Sequence, residues 1–287
     1  SWMVVAAIPI GAIGVWRLVR PIGGGRSRAV AFLVYLSVPL PYDALREGRL
    51  TPLAIYALLP WLAKRMAVSQ GVSPYGSIAG EPGPGIKERT LLTDGLLTGL
   101  LLALGIALDP VFLVPVLTIF LGLVVGSLLS GKIIGVNRLL KSFCLSMGVA
   151  SLLHFPLLID LLTGRSASSL IGFEAWRKGT LGPSGIFNLN TGSFTHSSFT
   201  WVLLIVAAFA LLVGTEKHLF LGIRSWLIMI FGFFAIWLVD QGWWPGRTPE
   251  EETLFVPVAV GLAWASAIAT AGTVSYTHLT LPTILRV

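Results

Sequence analysis

An all-α polytopic bundle of about nine transmembrane helices is the fold this sequence predicts, and three observations predict it. Hydrophobic residues make up 55% of the 287 residues and charged residues only 11%, against roughly 25% charged in a soluble domain. So few charges cannot cover a surface that faces water, and lipid must cover it instead. The apolar residues fall into runs of helix-spanning length. The basic residues gather in short clusters between those runs, as they do where charge sets orientation in a membrane.

A bilayer core takes roughly 20 apolar residues of helix, with a range of about 17–25. The first run is Trp2–Leu18. Arg28–Leu40 is short, at the lower limit for a span, and reads as a broken or re-entrant segment, and Leu50–Ala63 is also short and starts near Pro52. Leu91–Leu108 and Val111–Ser130 form a tight hairpin around Asp109-Pro110, and Leu139–Leu162 follows. Phe199–Gly214, Ile223–Val239 and Leu254–Gly272 complete the nine. Pro9, Pro60, Pro115, Pro156 and Pro257 lie in or at the ends of these runs, where neighbouring helices can satisfy the freed carbonyls. Gly95 and Gly99 have the spacing that lets two helices approach closely. Val68–Thr90, rich in Gly, Pro and Ser, reads as a flexible loop. Thr163–Ser198 is long enough for an interfacial helix around Ser168–Lys178 and an ordered loop.

The two ends differ in style from the rest. The start at Ser1, apolar at once, reads as a cut within a longer protein. Residues 275–287, opening Ser275-Tyr276-Thr277-His278, resemble translated adapter sequence and are set aside as a non-native tail. The transmembrane domain is then 1–274. The net charge of +7 forms no stripe and accompanies no nucleic-acid motif, so nucleic acid is excluded as a partner. Cys144 is alone and can form no intrachain disulfide.

Charge gives the topology a sign. Counted by alternating loops, one side holds 13 Lys and Arg, among them Arg17, Arg20, Lys64, Arg65, Lys132, Arg138, Lys217 and Arg224. The other holds six: Arg46, Arg49, Arg165, Arg177, Lys178 and Arg247. The first side is the cytoplasmic one, which places the chain in the plasma (inner) membrane with its N-terminus outside. Nine of the 13 acids, including Asp43, Glu47, Asp109, Asp160, Asp240 and Glu250-Glu251-Glu252, fall on the outer side. Any chemistry is sought there.

The densest polar cluster is Pro41-Tyr42-Asp43-Ala44-Leu45-Arg46-Glu47-Gly48-Arg49. In a helix, Asp43, Arg46 and Glu47 share a face by their i, i+3, i+4 spacing. Two carboxylates beside two guanidiniums can hold a hydroxyl and a phosphate together, since the Arg fork grips phosphate with two donors. The competing reading is a self-neutralised turn at the membrane surface. His154 is an ionisable residue inside a span, a functional candidate by default, set against the plainer role of a neutral packing group. Asp160 lies six residues on, off the face of His154. Asp240-Gln241-Gly242-Trp243-Trp244 fits an aromatic belt, with Trp243 also suited to stacking on a sugar ring. No cofactor is identified, and no metal-ligand spacing supports a divalent metal. There is no Walker A loop, GxSxG, HExxH or CxxC pair, so ATP-driven transport and standard hydrolase chemistry have no support.

Several stretches resemble a group of large polytopic membrane proteins of actinobacteria that are glycosyltransferases or glycosyltransferase-like. They are Trp16-Arg17-Leu18-Val19-Arg20-Pro21, Pro39-Leu40-Pro41-Tyr42-Asp43-Ala44-Leu45 with Gly48-Arg49, Tyr56-Ala57-Leu58-Leu59-Pro60-Trp61 and Asn190-Thr191-Gly192. Arg224-Ser225-Trp226, Gly242-Trp243 and Leu254–Ala263 complete the set, so the resemblance covers most of residues 10–272. It implies an enzyme of the cell envelope that takes sugar from a polyprenyl phosphate in the lipid and gives it to a glycan acceptor. In that class the catalytic carboxylate usually lies in a first outer loop, ahead of the point where this sequence starts. Asp43 is therefore the carboxylate best placed within a family-like motif, with Glu47 beside it. Arg46, Arg49, His154, Asp160, Asp240 and Trp243 are the expected substrate-binding residues. The alternatives are a transporter or flippase for a lipid-linked or small polar solute, which calls for an ion site at the bilayer midplane, and a non-catalytic membrane scaffold. An outward cavity lined by Asp43, Arg49 and the Thr163–Ser198 loop favours the enzyme.

Overall fold

Eleven α-helices make up the described part of the chain. A computed structural model describes residues 2–78, 80–86, 90–156, 159, 181–191, 199–212, 216–243 and 249–284. The helices are α1 (Trp2–Leu18), α2 (Gly25–Ser37), α3 (Leu40–Arg46), α4 (Leu50–Gln70), α5 (Leu91–Leu108), α6 (Leu113–Leu129), α7 (Ile133–Leu153), α8 (Gly182–Phe187), α9 (Phe199–Leu212), α10 (Glu216–Asp240) and α11 (Glu251–Ile284). A single 3₁₀ turn, Pro110–Phe112, leads into α6. Among the described residues there is no β-strand, only an isolated bridge between Val72 and Ile78.

Five segments are long and apolar enough to cross a membrane: Leu91–Leu108, Pro110–Leu129, Ile133–Leu153, His218–Asp240 and Glu251–Thr273. The expected count of nine is not reached among the described residues, for local reasons. The second expected run is short, and α2 has 13 residues, ending at Ser37 ahead of Pro39, about 20 Å of helix against a core of about 30 Å. α4 has 21 residues but carries Lys64, Arg65 and Gln70 in its second half. α9 has 14 residues. α1 has 17 residues with Pro9 inside it. α7 is among the five, but it stops at Leu153, before the expected end at Leu162, with His154 as its cap.

The outer helices wear their apolar residues outward. On α5, Leu92, Leu96, Leu100, Leu104 and Leu108 recur every fourth position and are all exposed. Such a stripe is unfavourable in water and is what a lipid-facing helix presents. α11 is the opposite case: 94% of its span is buried inside the protein, and it packs against α10, α2, α9 and α4. Around this central helix, α1 lies along α4, α5 along α7, and α6 along α10.

Glycines set the closest of these approaches. A methyl group at Gly95 would collide with Leu145, and one at Gly99 would stand 2.7 Å from Val149 Cβ. The small-residue spacing in α5 is thus used against α7, where Ser146 Oγ donates to the Gly95 carbonyl at 3.0 Å. Gly122 and Gly126 of α6 face Ile228 and Arg224 of α10 in the same manner. Where α1, α2 and α4 meet, Tyr35 and Tyr56 stack at 4.2 Å, and each hydroxyl donates to the other's backbone carbonyl, at 2.8 and 2.6 Å.

The expected flexible loop after α4 is a folded turn over its first part. Ser73 N donates to Ile78 O and Ile78 N to Gly71 O. Tyr75 is buried by this turn, and its hydroxyl donates to the Leu18 carbonyl at 2.8 Å. An aromatic anchor overrides a composition that on its own favours disorder. The helix expected around Ser168–Lys178 lies outside the described residues.

Candidate functional site

The cluster at Asp43–Arg49 forms a sharp corner between α3 and α4. Pro41 near the start of α3 suits a first turn, where its missing N–H is not needed. Glu47 caps the helix, and Gly48, at φ +70°, takes the left-handed conformation that ends it. The chain then reverses, with Arg49 N donating to Ala44 O at 2.8 Å. Glu47 and Arg49 come side by side as a result, and Arg49 Nη2 pairs with Glu47.

The other side of Arg49 faces α11. Its Nη1 donates to both carboxylate oxygens of Glu252, each at 2.8 Å. Glu252 is 1% exposed and lies in the first turn of α11, where free backbone N–H groups favour a negative charge. One guanidinium therefore bridges two carboxylates from opposite ends of the sequence.

Glu250 stands close enough to act on this group, and Asp109 close enough to act on Glu250. Burial pushes the Glu250 carboxyl above its ordinary range; Arg49 opposes that, and Asp109 and Glu47 add to it. Glu250 Oε2 is buried with no hydrogen-bond partner. Asp109, between α5 and α6, is also pushed up by burial, against the Val111 N–H that donates to its Oδ1 at 2.8 Å. Asp43 is 1% exposed, and Thr191 Oγ1 donates to its Oδ2 at 2.9 Å.

The expected site residues divide. Asp43, Glu47 and Arg49 share this corner. The helix expected there exists, but Asp43 turns inward while Arg46 and Glu47 are exposed, so the three do not present one face. Arg49 is held between two carboxylates. Asp240 ends α10 and accepts from Leu181 N at 2.6 Å, tying the start of α8 to that helix. Trp243 is 69% exposed and lies edge-on to Trp237 at 5.5 Å. His154 sits at the end of α7, with its Nε2 buried and without a partner. Asp160 lies outside the described residues. No three His, Cys, Asp or Glu among the described residues are placed to hold a metal ion.

Sequence reasoning missed two members. Glu252 appeared only as part of an acidic run, and Thr191 only as part of a turn. Arg49 and Glu252 are 203 positions apart, and local pattern has no means of joining them.

What fold and site define together is a class: an all-helical membrane protein with a buried carboxylate–guanidinium corner at one end of its bundle. Beyond the class, no family model, curated protein or solved structure matches the chain.

Proposed function

We propose that this chain is the membrane-embedded part of a glycosyltransferase that builds cell-envelope glycans from a polyprenyl-phosphate sugar. The observation that carries the reading is the bond from Thr191, in the Thr163–Ser198 segment, to the buried Asp43. It joins two elements of the family-like pattern at the end of the bundle that gathers Glu47, Arg49, Glu250, Glu252 and Asp109.

In this reading the carboxylate end faces outward from the plasma membrane and the basic loops face the cytoplasm. Asp43 takes the proton of the acceptor hydroxyl as general base. The oxygen attacks the anomeric carbon, and the bond from that carbon to the lipid phosphate breaks, so the phosphate leaves on the polyprenyl chain. Arg46, exposed beside the corner, meets the phosphate, and Arg49 fixes the corner in place. Trp243, at the end of α10, supplies a ring face for a sugar.

Transfer of sugar from a polyprenyl-phosphate donor by the full-length protein in membranes tests this. Asp43→Asn is expected to abolish transfer while the protein still inserts and folds. Turnover at the wild-type rate in Asp43→Asn would sink the assignment.

A further inference from the structure

The other end of the bundle holds a second polar cluster, and its central group is a cation. Arg224 of α10 is completely buried. Its stem lies on α6 at Gly126, where a methyl group would stand 2.6 Å from Arg224 Cγ. Its guanidinium lies over the Phe220 ring at 3.8 Å, and Nη2 donates to Ser127 Oγ at 2.6 Å. Its Nε and Nη1 have no acceptor. No carboxylate pairs with Arg224 among the described residues.

Ser127 has nothing more to give. Its hydroxyl donates to the Leu123 carbonyl and accepts from both Arg224 and Gln70 Nε2, each at 2.6 Å. Gln70 and Arg224, anchored on one oxygen, are therefore neighbours, and Gln70 Oε1 is buried without a donor. Trp264 of α11 is fully buried, and its indole N–H lacks an acceptor. It lies edge-on to Tyr75 at 5.7 Å. One turn earlier, Gly261 brings α11 against the Ser225 backbone of α10, level with Arg224.

We infer that this cluster binds a phosphate group. A guanidinium does not shed its proton, and a buried charge needs both an opposite charge and acceptors. A neutral water supplies no opposite charge. The unmet groups are Arg224 Nε and Nη1 and the Trp264 N–H, all donors, with one acceptor, Gln70 Oε1. An anion rich in acceptors answers the three donors. A phosphate monoester, largely a dianion near neutrality because its second pKa is about 6, brings three acceptor oxygens and the opposite charge that Arg224 lacks; a carboxylate brings two oxygens and a single charge. Lys132, over the same Phe220 ring at 3.9 Å, adds positive charge. Free phosphate and the headgroup of a lipid phosphate monoester share this chemistry. The inference stands apart from the glycosyltransferase reading, because none of its residues belongs to the Asp43 corner.

Thermal unfolding of the purified full-length protein tests it in two arms. The first adds inorganic phosphate at constant ionic strength; the second compares phosphatidylcholine nanodiscs with and without phosphatidic acid. The unfolding midpoint is expected to rise in at least one arm. A rise with inorganic phosphate assigns free phosphate, and a rise with phosphatidic acid alone assigns a headgroup. Arg224→Gln removes the rise, and Trp264→Phe, which keeps a ring in place, weakens binding about tenfold. No rise in either arm, or a rise that Trp264→Phe leaves unchanged, overturns the site.

Discussion

Arg49 and Glu252 are joined by two hydrogen bonds of 2.8 Å from one guanidinium nitrogen, fastening the α3–α4 corner to the start of the central helix. The pair is unequal in exposure: the Glu252 side chain is 1% exposed and that of Arg49 18%. Breaking it from the Arg49 side is the costlier change, because it leaves a buried carboxylate without its counter-charge. Arg49→Ala is expected to destabilise the protein by about 3 kcal/mol, the low end for a broken buried pair because solvent reaches Arg49. Glu252→Gln removes the charge with its partner still able to reach Glu47, and costs less. The double variant recovers more than half of the Arg49→Ala loss. Unfolding midpoints of the three variants in one detergent check this; a double variant as unstable as the sum of the singles would dissolve the pairing.

Thr191 has the opposite profile. Its hydroxyl donates to a buried carboxylate, and a hydrogen bond to a charged group contributes about 1.5–3 kcal/mol. If Asp43 works as a base, Thr191→Ala leaves the carboxylate in place but releases its orientation. Sugar transfer is expected to fall about tenfold to a hundredfold, with Thr191→Ser retaining most activity. Equal activity in Thr191→Ala and wild type would show that this contact positions nothing.

Much of the bundle was legible in the sequence, and what was not has physical reasons. The α5–α6 hairpin around Asp109-Pro110 and the run that becomes α1 both follow from local chemistry, long apolar runs punctuated by proline. Hydropathy could not see that α11 is enclosed by protein on nearly all sides, since a lipid-facing and a protein-facing leucine read alike. Asp43, Glu47 and Arg49 stood out because they are neighbours in sequence. Thr191 and Glu252 did not, because their significance comes from tertiary packing. Arg224 was counted as a loop charge at a span end, yet it is among the most deeply buried side chains, and the missing side chain at Gly126 leaves room for its stem.

The glycine contacts give a prediction with an internal control. Gly95 and Gly99 lie against α7, whereas Gly148, on α7 itself, has no atom within 4 Å of where a methyl group would stand. Gly95→Ala and Gly99→Ala are expected to force α5 and α7 apart and destabilise by about 1–3 kcal/mol, as overpacking does. Gly148→Ala meets nothing and gains helix propensity, so it is expected to be neutral or stabilising by up to about 1 kcal/mol. Chemical unfolding of the three single variants checks the ranking, and destabilisation by Gly148→Ala equal to the other two would refute the interface as described.

The acid cluster predicts how stability varies with pH. Burial raises the Glu250 carboxyl above its ordinary range, as it does that of Asp109, so the folded protein holds these protons more tightly than the unfolded chain. The stabilisation linked to that tighter hold is fully present below the unfolded pKa values and is lost as pH rises through the folded ones. Lowering the pH from above the folded pKa values toward the ordinary carboxylate range is therefore expected to raise the unfolding midpoint through these two groups. Glu250→Gln is neutral at every pH; it should start from a higher midpoint at pH 7 and rise less on acidification. Arg49 opposes the shift at Glu250, with Glu47 and Asp109 on the other side. Arg49→Ala should consequently move the rise to higher pH, an effect that Glu250→Gln in the same chain reduces. Midpoints measured at half-unit pH intervals for the wild type, both single variants and the double variant separate these contributions. A Glu250→Gln curve parallel to the wild type would mean that Glu250 does not titrate in this window.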